Sequence, residues 1–468
     1  MDPKRKVAII GAGPGGIETA RELARSKFGD SLEITIYEQG KKIEDRICPA
    51  NGSGKECIRC QPYCHIRSGE GGAGLKSDGK LIYHPSRDNN LLELCNKPEP
   101  GRLGEQELKQ IIDNRIESEF QKRGIPTEKR NLKAEQEMLE KAAQYGIEFI
   151  PAKQTHVGSD RLPKIMQEIV SDLEKKVKIN TQEEIVDFKD NVLISNKGEH
   201  NFDYLVFATG RNGLFERLVD KKGIDYIFNP VDIGIRVEVP AEVMKRACEI
   251  SWDFKAKIIT PTYQDEVRTF CVCPNGYVTQ ETHKDFCLVN GEAKNAQKSK
   301  NTNFAFLVKY RPTAPVTSGN ELGRIIAQKA GKFWDGKIGL QRLGDLRRGQ
   351  RSTWDRINKY SNPKPTLLDV CPGDLGSGLD YRNMLDILEG FEILNHILPG
   401  VNQDSTLLYA PEIKFHGIQI VPQDNYLQTN IPYVYAIGDG AGTSRGITGA
   451  MLSGIIAARG IIRDLKEN

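Results

Sequence analysis

The sequence predicts an α/β protein in which a discontinuous parallel-sheet domain carries a β-rich α+β second domain and a helical insertion. Three observations carry that prediction. The chain starts with a strand–turn–helix–strand pattern. Two apolar strands much further along each run straight into glycine. A long middle region alternates apolar and polar residues, the period of half-buried strands.

The first pattern is the most informative. Val7 to Ile10 reads as a buried strand and meets Gly11-Ala12-Gly13-Pro14-Gly15-Gly16, followed by a helical pattern to about Ser26. Leu32 to Tyr37 alternates as the next parallel strand and ends at Glu38. In that context G-x-G-x-x-G is a Rossmann-like dinucleotide fingerprint and not an ordinary glycine turn. Gly11 permits the tight turn, Gly13 lets a pyrophosphate approach the backbone, and Gly16 lets helix and strand pack closely. The phosphates would sit on the helix N-terminus, and Glu38 would accept from ribose hydroxyls.

The two downstream strands decide which dinucleotide. Tyr204 to Phe207 leads into Ala208-Thr209-Gly210, whose small side chains let the chain pass close to a cofactor. Val434 to Ile437 leads into Gly438-Asp439-Gly440, and a helix follows over Ala450 to Ile462. The stretch resembles one found in flavoproteins, and the resemblance implies that Asp439 takes a ribityl hydroxyl and that Gly446 and Ile447 open a helix whose N-terminus faces a flavin pyrimidine. Together the three stretches indicate FAD.

Between Glu38 and the insertion lie two unusual segments. Cys48, Cys57, Cys60 and Cys64 crowd into seventeen residues. They read as four ligands to zinc or an iron–sulfur cluster, as a redox dithiol, or as thiols packed in a loop. His65 reads as a hydrogen-bonding residue. Ser68 to Lys80 then holds five glycines, the composition of a backbone that bends sharply or approaches a ligand. Gly74 and Ser77 are assigned to the cofactor from this segment, and Asp78 and Lys80 to catalysis together with Arg445.

The remaining elements follow in order. Charged helical spacing over Glu105–Lys122 and Leu132–Ala143 marks a helical insertion at 89–144. A helix over Leu162–Lys175 has Asp160 or Ser159 as its expected N-cap. Val177–Asn180 is a strand, and Glu184–Phe188 with Asn191–Ser195 makes a β-meander. Strands at Val231–Pro240, Ile258–Thr262, Glu266–Val272 and Phe304–Tyr310 form the core of a substrate domain at 213–404. Cys271 and Cys273 point to opposite faces if extended. Arg347, Arg348 and Arg351 bind an anionic substrate or form a solvated basic turn. The FAD domain is expected at 1–88, 145–212 and 405–468.

Composition bounds the partners. There are 66 basic and 63 acidic residues, net +3, which argues for neither nucleic acid nor an anionic membrane. No apolar run approaches the ~20 residues of a bilayer span, and no signal peptide is apparent. A soluble cytoplasmic protein with reduced thiols is expected, acting on a small molecule, anionic if the arginines are used.

The three glycine motifs resemble those of the glutathione-reductase-like superfamily of two-dinucleotide-binding-domain flavoproteins. More closely, the chain is similar to a family of FAD-dependent, NAD-utilising dehydrogenases of undefined substrate. That likeness rests on the four early cysteines running into Gly71 to Leu81, on His156 to Leu162, on Cys271 to Tyr277, and on Gly438 to Thr448. It implies a flavin, with NAD(P)H as partner reductant. No second G-x-G-x-x-G marks a separate NAD(P) domain, which argues against a disulfide reductase. The expected activity is hydride transfer between a small-molecule substrate and flavin N5. A metal or dithiol flavoenzyme, a flavin monooxygenase and a non-enzymatic redox sensor are the alternatives.

Overall fold

A computed structural model describes residues 3–49, 60–76, 79–85, 87, 90–98, 101–127, 129–158, 160–211, 213–283, 285–293 and 297–467. Cys57, Ser77 and Asp78, and the Lys76 side chain, lie outside the described residues. The chain forms two compact units.

The first unit comprises Met1–Glu128, Lys153–Phe228 and Gly417–Asn468. Its centre is a five-stranded sheet in the order Val434–Ala436, Tyr204–Phe207, Arg5–Ile10, Leu32–Glu38, Lys178–Thr181. Every neighbouring pair is parallel, with Ile9 opposite Val206 on one side and Ile36 on the other. The central strands are buried on both faces, as a parallel sheet covered by helices requires. The helix Pro14–Arg25 supplies the first crossover and presents Ile17, Ala20, Leu23 and Ala24 to the core. The helix Gly446–Glu467 packs beside it. A Cβ on Gly454 would fall 2.3 Å from the Gly15 carbonyl oxygen, so the two helices meet at glycine. The Thr19 hydroxyl spans that contact, donating to Gly15 O at 2.9 Å and to Gly454 O at 3.2 Å. The meander is three strands, Ile185–Lys189, Val192–Ser195 and Gly198–Asn201.

The second unit comprises Lys129–Ala152 and Asn229–His416. Its eight-stranded sheet runs Val370–Pro372, Ile338–Arg342, Leu407–Lys414, Val231–Pro240, Asn301–Tyr310, Glu266–Cys273, Ala256–Ile259, Glu148–Phe149. All pairs are antiparallel except the first, which is parallel. Val231, Ile233, Ile235, Val237 and Val239 point to a core shared with Phe304, Phe306 and the helix Tyr381–Leu394. The intervening Asp232, Gly234, Arg236 and Glu238 point to the opposite face, yet they too are buried.

Several expectations shift. The helical stretch at 89–144 is divided: Glu105–Ile111 and Ser118–Gln121 lie in the first unit, Leu132–Ala143 in the second. Residues Glu148–Phe149 also join the second unit, because Glu148 and Phe149 pair with Lys257 and Ala256. The N-cap of helix Leu162–Leu173 is Arg161, which makes no side-chain cap; Leu162 N donates to Gly158 O, Pro163 occupies the first turn, and Ser159 lies outside the described residues. Cys271 does not sit in plain extended backbone. Its φ of +49° and a register shift between Phe270 and Cys273 make a bulge, which interrupts the expected alternation. No helix among the described residues is long and apolar enough to cross a membrane.

Candidate dinucleotide-binding site

The glycines of the fingerprint each answer to a measured approach. Gly11 has φ +108°, and a Cβ there would lie 2.4 Å from Ala208 O. The first strand and the Ala208-Thr209-Gly210 strand end therefore touch backbone to backbone. A Cβ on Gly16 would lie 2.0 Å from Gly11 O, which fixes how closely helix Pro14–Arg25 follows the turn. Gly13 differs from both. A Cβ there would meet only Gly72 Cα, at an ordinary contact distance of 3.8 Å, so close packing is not what requires glycine at this position. Gly13 caps the helix with no side-chain hydrogen bond, Pro14 occupies the first turn, and no acidic residue stands there. This helix end offers N–H groups and a positive dipole end to an anion.

Glu38, expected to accept from ribose hydroxyls, is buried at 6% exposure and also braces the glycine turn. Its Oε2 accepts from Ala12 N at 2.9 Å and its Oε1 from Gly40 N at 2.8 Å. Each carboxylate oxygen retains a further lone pair for a ribose hydroxyl.

The last motif closes onto the middle one. A Cβ on Gly440 would lie 2.1 Å from Gly210 O. Gly438, Gly442 and Gly446 have φ of +75°, +68° and +67°, a sequence of bends that residues with a side chain rarely adopt. Asp439 Oδ2 pairs with Arg211 Nε at 2.8 Å. Burial pushes the Asp439 carboxyl up, and Arg211 works against that rise. Ser444 Oγ and Thr448 Oγ1 are buried and have no hydrogen-bond partner among the described residues. Orphaned hydroxyls at this turn, beside the open space over Gly438 and Gly446, are what a bound polar ligand would satisfy.

The glycine-rich segment after the cysteines joins the same place. Gly71 N donates to Ala12 O at 2.8 Å, and a Cβ on Gly72 would lie 3.0 Å from Gly13 Cα. Gly74 lies against Ile447, where a Cβ would come within 2.9 Å of Cγ1. Lys80 falls on the short strand Lys80–Ile82, opposite His156. Arg445 precedes the last helix, half-buried.

A residue that sequence reasoning passed over holds this segment in place. Arg46 is 1% exposed and donates to five carbonyls: His65 O at 3.0 Å, Ile66 O at 2.7 Å, Gly69 O at 3.3 Å, Glu70 O at 2.6 Å and Gly72 O at 2.9 Å. Burial lowers the guanidinium's proton affinity, while Glu38, Cys64 and Glu70 support its charge. The only sequence signal was a lone arginine ahead of the cysteines, since backbone acceptors leave no mark on residue type.

The metal reading of the cysteines gains no support. Among the described residues no group of three or more His, Cys, Asp or Glu is placed to hold a metal ion. Cys48, Cys60 and Cys64 are free, half-buried thiols, and Cys57 lies outside the described residues. His65 Nδ1 is 2.6 Å from Ile47 O, a hydrogen-bonding role. Arg347 and Arg348 are engaged with Asp404 rather than grouped into an anion pocket.

The fold is that of an α/β protein with a Rossmann-like parallel-sheet unit and a second, β-rich unit. Residues 230–414, nearly the whole larger segment of that second unit, match the family described as FAD-dependent protein, C-terminal domain-like. The match agrees with FAD as the dinucleotide and does not single out a glutathione-reductase-like grouping. The chain is 25% identical to an uncharacterised protein of Clostridium beijerinckii, over 98% of this chain and 81% of that one. Among solved structures it is similar to glycine oxidase from Geobacillus kaustophilus (12% identity, 98% and 95% covered, TM-score 0.38). It is also similar to E. coli quinol fumarate reductase FrdA (11% identity, 99% and 71% covered, TM-score 0.42).

Proposed function

We propose that this protein is an FAD-dependent oxidoreductase acting on a small molecule, with NAD(P)H as partner reductant. The observation that carries the reading is the meeting of glycine turns around the uncapped helix end at Gly13, together with two orphaned buried hydroxyls at the last turn.

The residues suit the group. The N-terminus of helix Pro14–Arg25 would hold the pyrophosphate, Glu38 the adenosine ribose and Asp439 the ribityl chain. Ser444, Thr448 and the start of helix Gly446–Glu467 would meet the polar edge of the ring. FAD, when bound, supplies exchange of a hydride with a substrate carbon. The chain binds and orients: Glu38 fixes the turn from below, and Arg46 fixes the segment that meets it from above. Lys80 and Arg445 are the described residues assigned to the reacting end, where a cation would stabilise developing negative charge.

The test is a visible spectrum of purified protein with metal analysis of the same sample and a titration with added FAD. Flavin bands, or stoichiometric FAD uptake, are expected. Glu38→Gln, which leaves one acceptor oxygen and puts an amide against backbone donors, should weaken uptake about tenfold or more. Failure of the intact protein to bind FAD would overturn the reading. Anaerobic mixing with NADH and NADPH then tests the reductant. Reduction that depends on a third compound and ends in oxygen insertion would place the chain among the monooxygenases instead.

A further inference from the structure

The motif Cys271-Val272-Cys273-Pro274-Asn275-Gly276 has no part in the dinucleotide site, yet the second unit gives its two thiols an unusual setting. Cys271 lies in the bulge. Phe270 pairs with Ala305 and Cys273 with Asn303, so residues 270–273 span what 303–305 span opposite. The φ of +49° at Cys271 is one that a residue with a side chain rarely adopts. Such backbone persists where its surroundings hold it, and it gathers at functional positions. Here Val272 N donates to Asp253 Oδ1 at 2.9 Å, and Gly276 N to Cys273 O at 3.1 Å. A Cβ on Gly276 would lie 2.4 Å from Glu292 O and 2.8 Å from Cys273 Cβ, so the following strand pair closes tightly over the second cysteine.

The pair folds on itself, and its members differ in access. Cys273 Sγ donates to Cys271 O at 3.5 Å. Cys271 is half-buried, whereas Cys273 is fully buried. A cation stands against them. Glu412 takes Nε and Nη2 of the fully buried Arg236, at 2.7 and 2.9 Å. Nη1 turns to the cysteine segment instead. It donates to Asn303 Oδ1 at 2.7 Å and Cys271 O at 3.4 Å, and it reaches Cys273 Sγ at 4.0 Å. A thiolate there would receive a charge-assisted hydrogen bond. The guanidinium feels the same neighbours: burial works against its charge, but Glu412, Cys271 and Cys273 outweigh burial and raise its proton affinity. Glu238 is in register with Asn303, hence in the row of Cys273. Its oxygens accept from Thr366, Tyr409 and Asn301, and burial raises its carboxyl toward the neutral form.

We propose that Cys271 and Cys273 are a redox pair that reduces a small disulfide, Cys271 attacking and Cys273 resolving. The roles follow access. Cys271, deprotonated, attacks one sulfur of the disulfide; a mixed disulfide forms, the original S–S bond breaks, and one thiolate leaves with the electron pair. Cys273, deprotonated in turn, attacks the Cys271 sulfur and expels the second thiolate. The two cysteine protons end on the two released thiols, and the protein pair is oxidised by the two electrons that the small disulfide gains. A ring closed over one intervening residue departs from relaxed disulfide geometry, so the oxidised pair belongs to the readily reduced class. The proposal holds whether or not the protein binds FAD.

The experiment exposes the full-length protein to oxidised glutathione, blocks the remaining thiols with iodoacetamide and maps the tryptic peptides by mass. Peptide 269–284 holds Cys271 and Cys273 and no other cysteine. It should lose two hydrogens and escape alkylation, about tenfold or more faster than Cys287 and Cys371, half-buried thiols of the same unit, react. Dithiothreitol should restore both thiols. Cys273→Ser should leave glutathione held on Cys271, and Cys271→Ser should abolish both products. Reaction no faster than that of Cys287 and Cys371 overturns the proposal. So does a wild-type peptide that keeps glutathione without closing the ring, which would make Cys271 a solitary reactive thiol. If either variant fails to fold, the wild-type peptide still decides.

Discussion

The first unit holds its candidate site together by backbone contact, whereas the second unit gathers buried side-chain charge across its sheet. At the dinucleotide site the deciding atoms are carbonyl oxygens and N–H groups, and the residues that matter are those lacking a side chain. On the second sheet the deciding atoms are guanidinium, ammonium and carboxylate groups brought together across strands. Close backbone approach tolerates no added atom. A charge network tolerates loss of both members of a pair far better than loss of one.

The largest effect should come from Gly11→Ala. A methyl group 2.4 Å from Ala208 O, on backbone at φ +108°, has nowhere to go. The first unit should lose on the order of 3–4 kcal/mol or more, and flavin uptake with it. All three tryptophans, Trp252, Trp334 and Trp354, belong to the second unit. Their emission therefore reports on that unit alone. Unchanged tryptophan unfolding beside lost flavin uptake would sharpen the contrast between the units, and intact flavin uptake would break it.

The reciprocal experiment targets Arg236 and Glu412, both fully buried. Arg236→Met alone strands the carboxylate and should cost about 3–5 kcal/mol in urea unfolding followed by tryptophan emission. The double variant with Glu412→Leu should recover much of that loss, although Lys414 then lacks its partner. A double variant as damaged as the sum of the singles would mean that the network is held by shape rather than by charge.

The smallest effect returns to the first unit. Glu119 lies between Arg21, at 2.6 Å, and Arg123. Burial pushes its carboxyl up, but the guanidinium groups of Arg21, Arg123 and Arg25 win and hold it down at about 2. A depressed carboxyl contributes stability above its unfolded value, and that contribution fades as pH falls from about 4.3 toward about 2. Glu119→Gln should cost about 2 kcal/mol at pH 7 and much less at pH 3. Amide exchange along helix Pro14–Arg25 would measure it. A cost equal at both pH values would show that the carboxylate charge is not what matters.

This contrast also explains what the sequence made legible. The turn at Gly11–Gly16 was readable because a positive φ and sub-contact approaches restrict the residue type, so glycine itself is the record. The parallel strands at Val7, Tyr204 and Val434 were readable from apolar runs, and the one at Leu32 from its alternation. The helix Leu132–Ala143 was readable to the residue, but not the unit it serves, because its partner strand comes a hundred residues later. Arg46 left no trace because its acceptors are carbonyls. The approach of Arg236 to Cys273 was invisible for a different reason: only the strand order makes them neighbours. The arginines that sequence did single out for an anion, Arg347 and Arg348, are held by Asp404.

The strand order of the first unit has a consequence for how the protein is made. Tyr204–Phe207 pairs on one side with Arg5–Ile10 and on the other with Val434–Ala436. More than two hundred residues, including most of the second unit, leave the ribosome between those two partners. Until Val434 emerges, the growing chain carries a hydrophobic strand with one unpaired edge, the kind of edge that recruits a neighbour. The helix Gly446–Glu467 that covers Gly15 follows later still. The second unit is complete by His416 and can mature first, so the glycine turns of the candidate site are the last part of this molecule to come together.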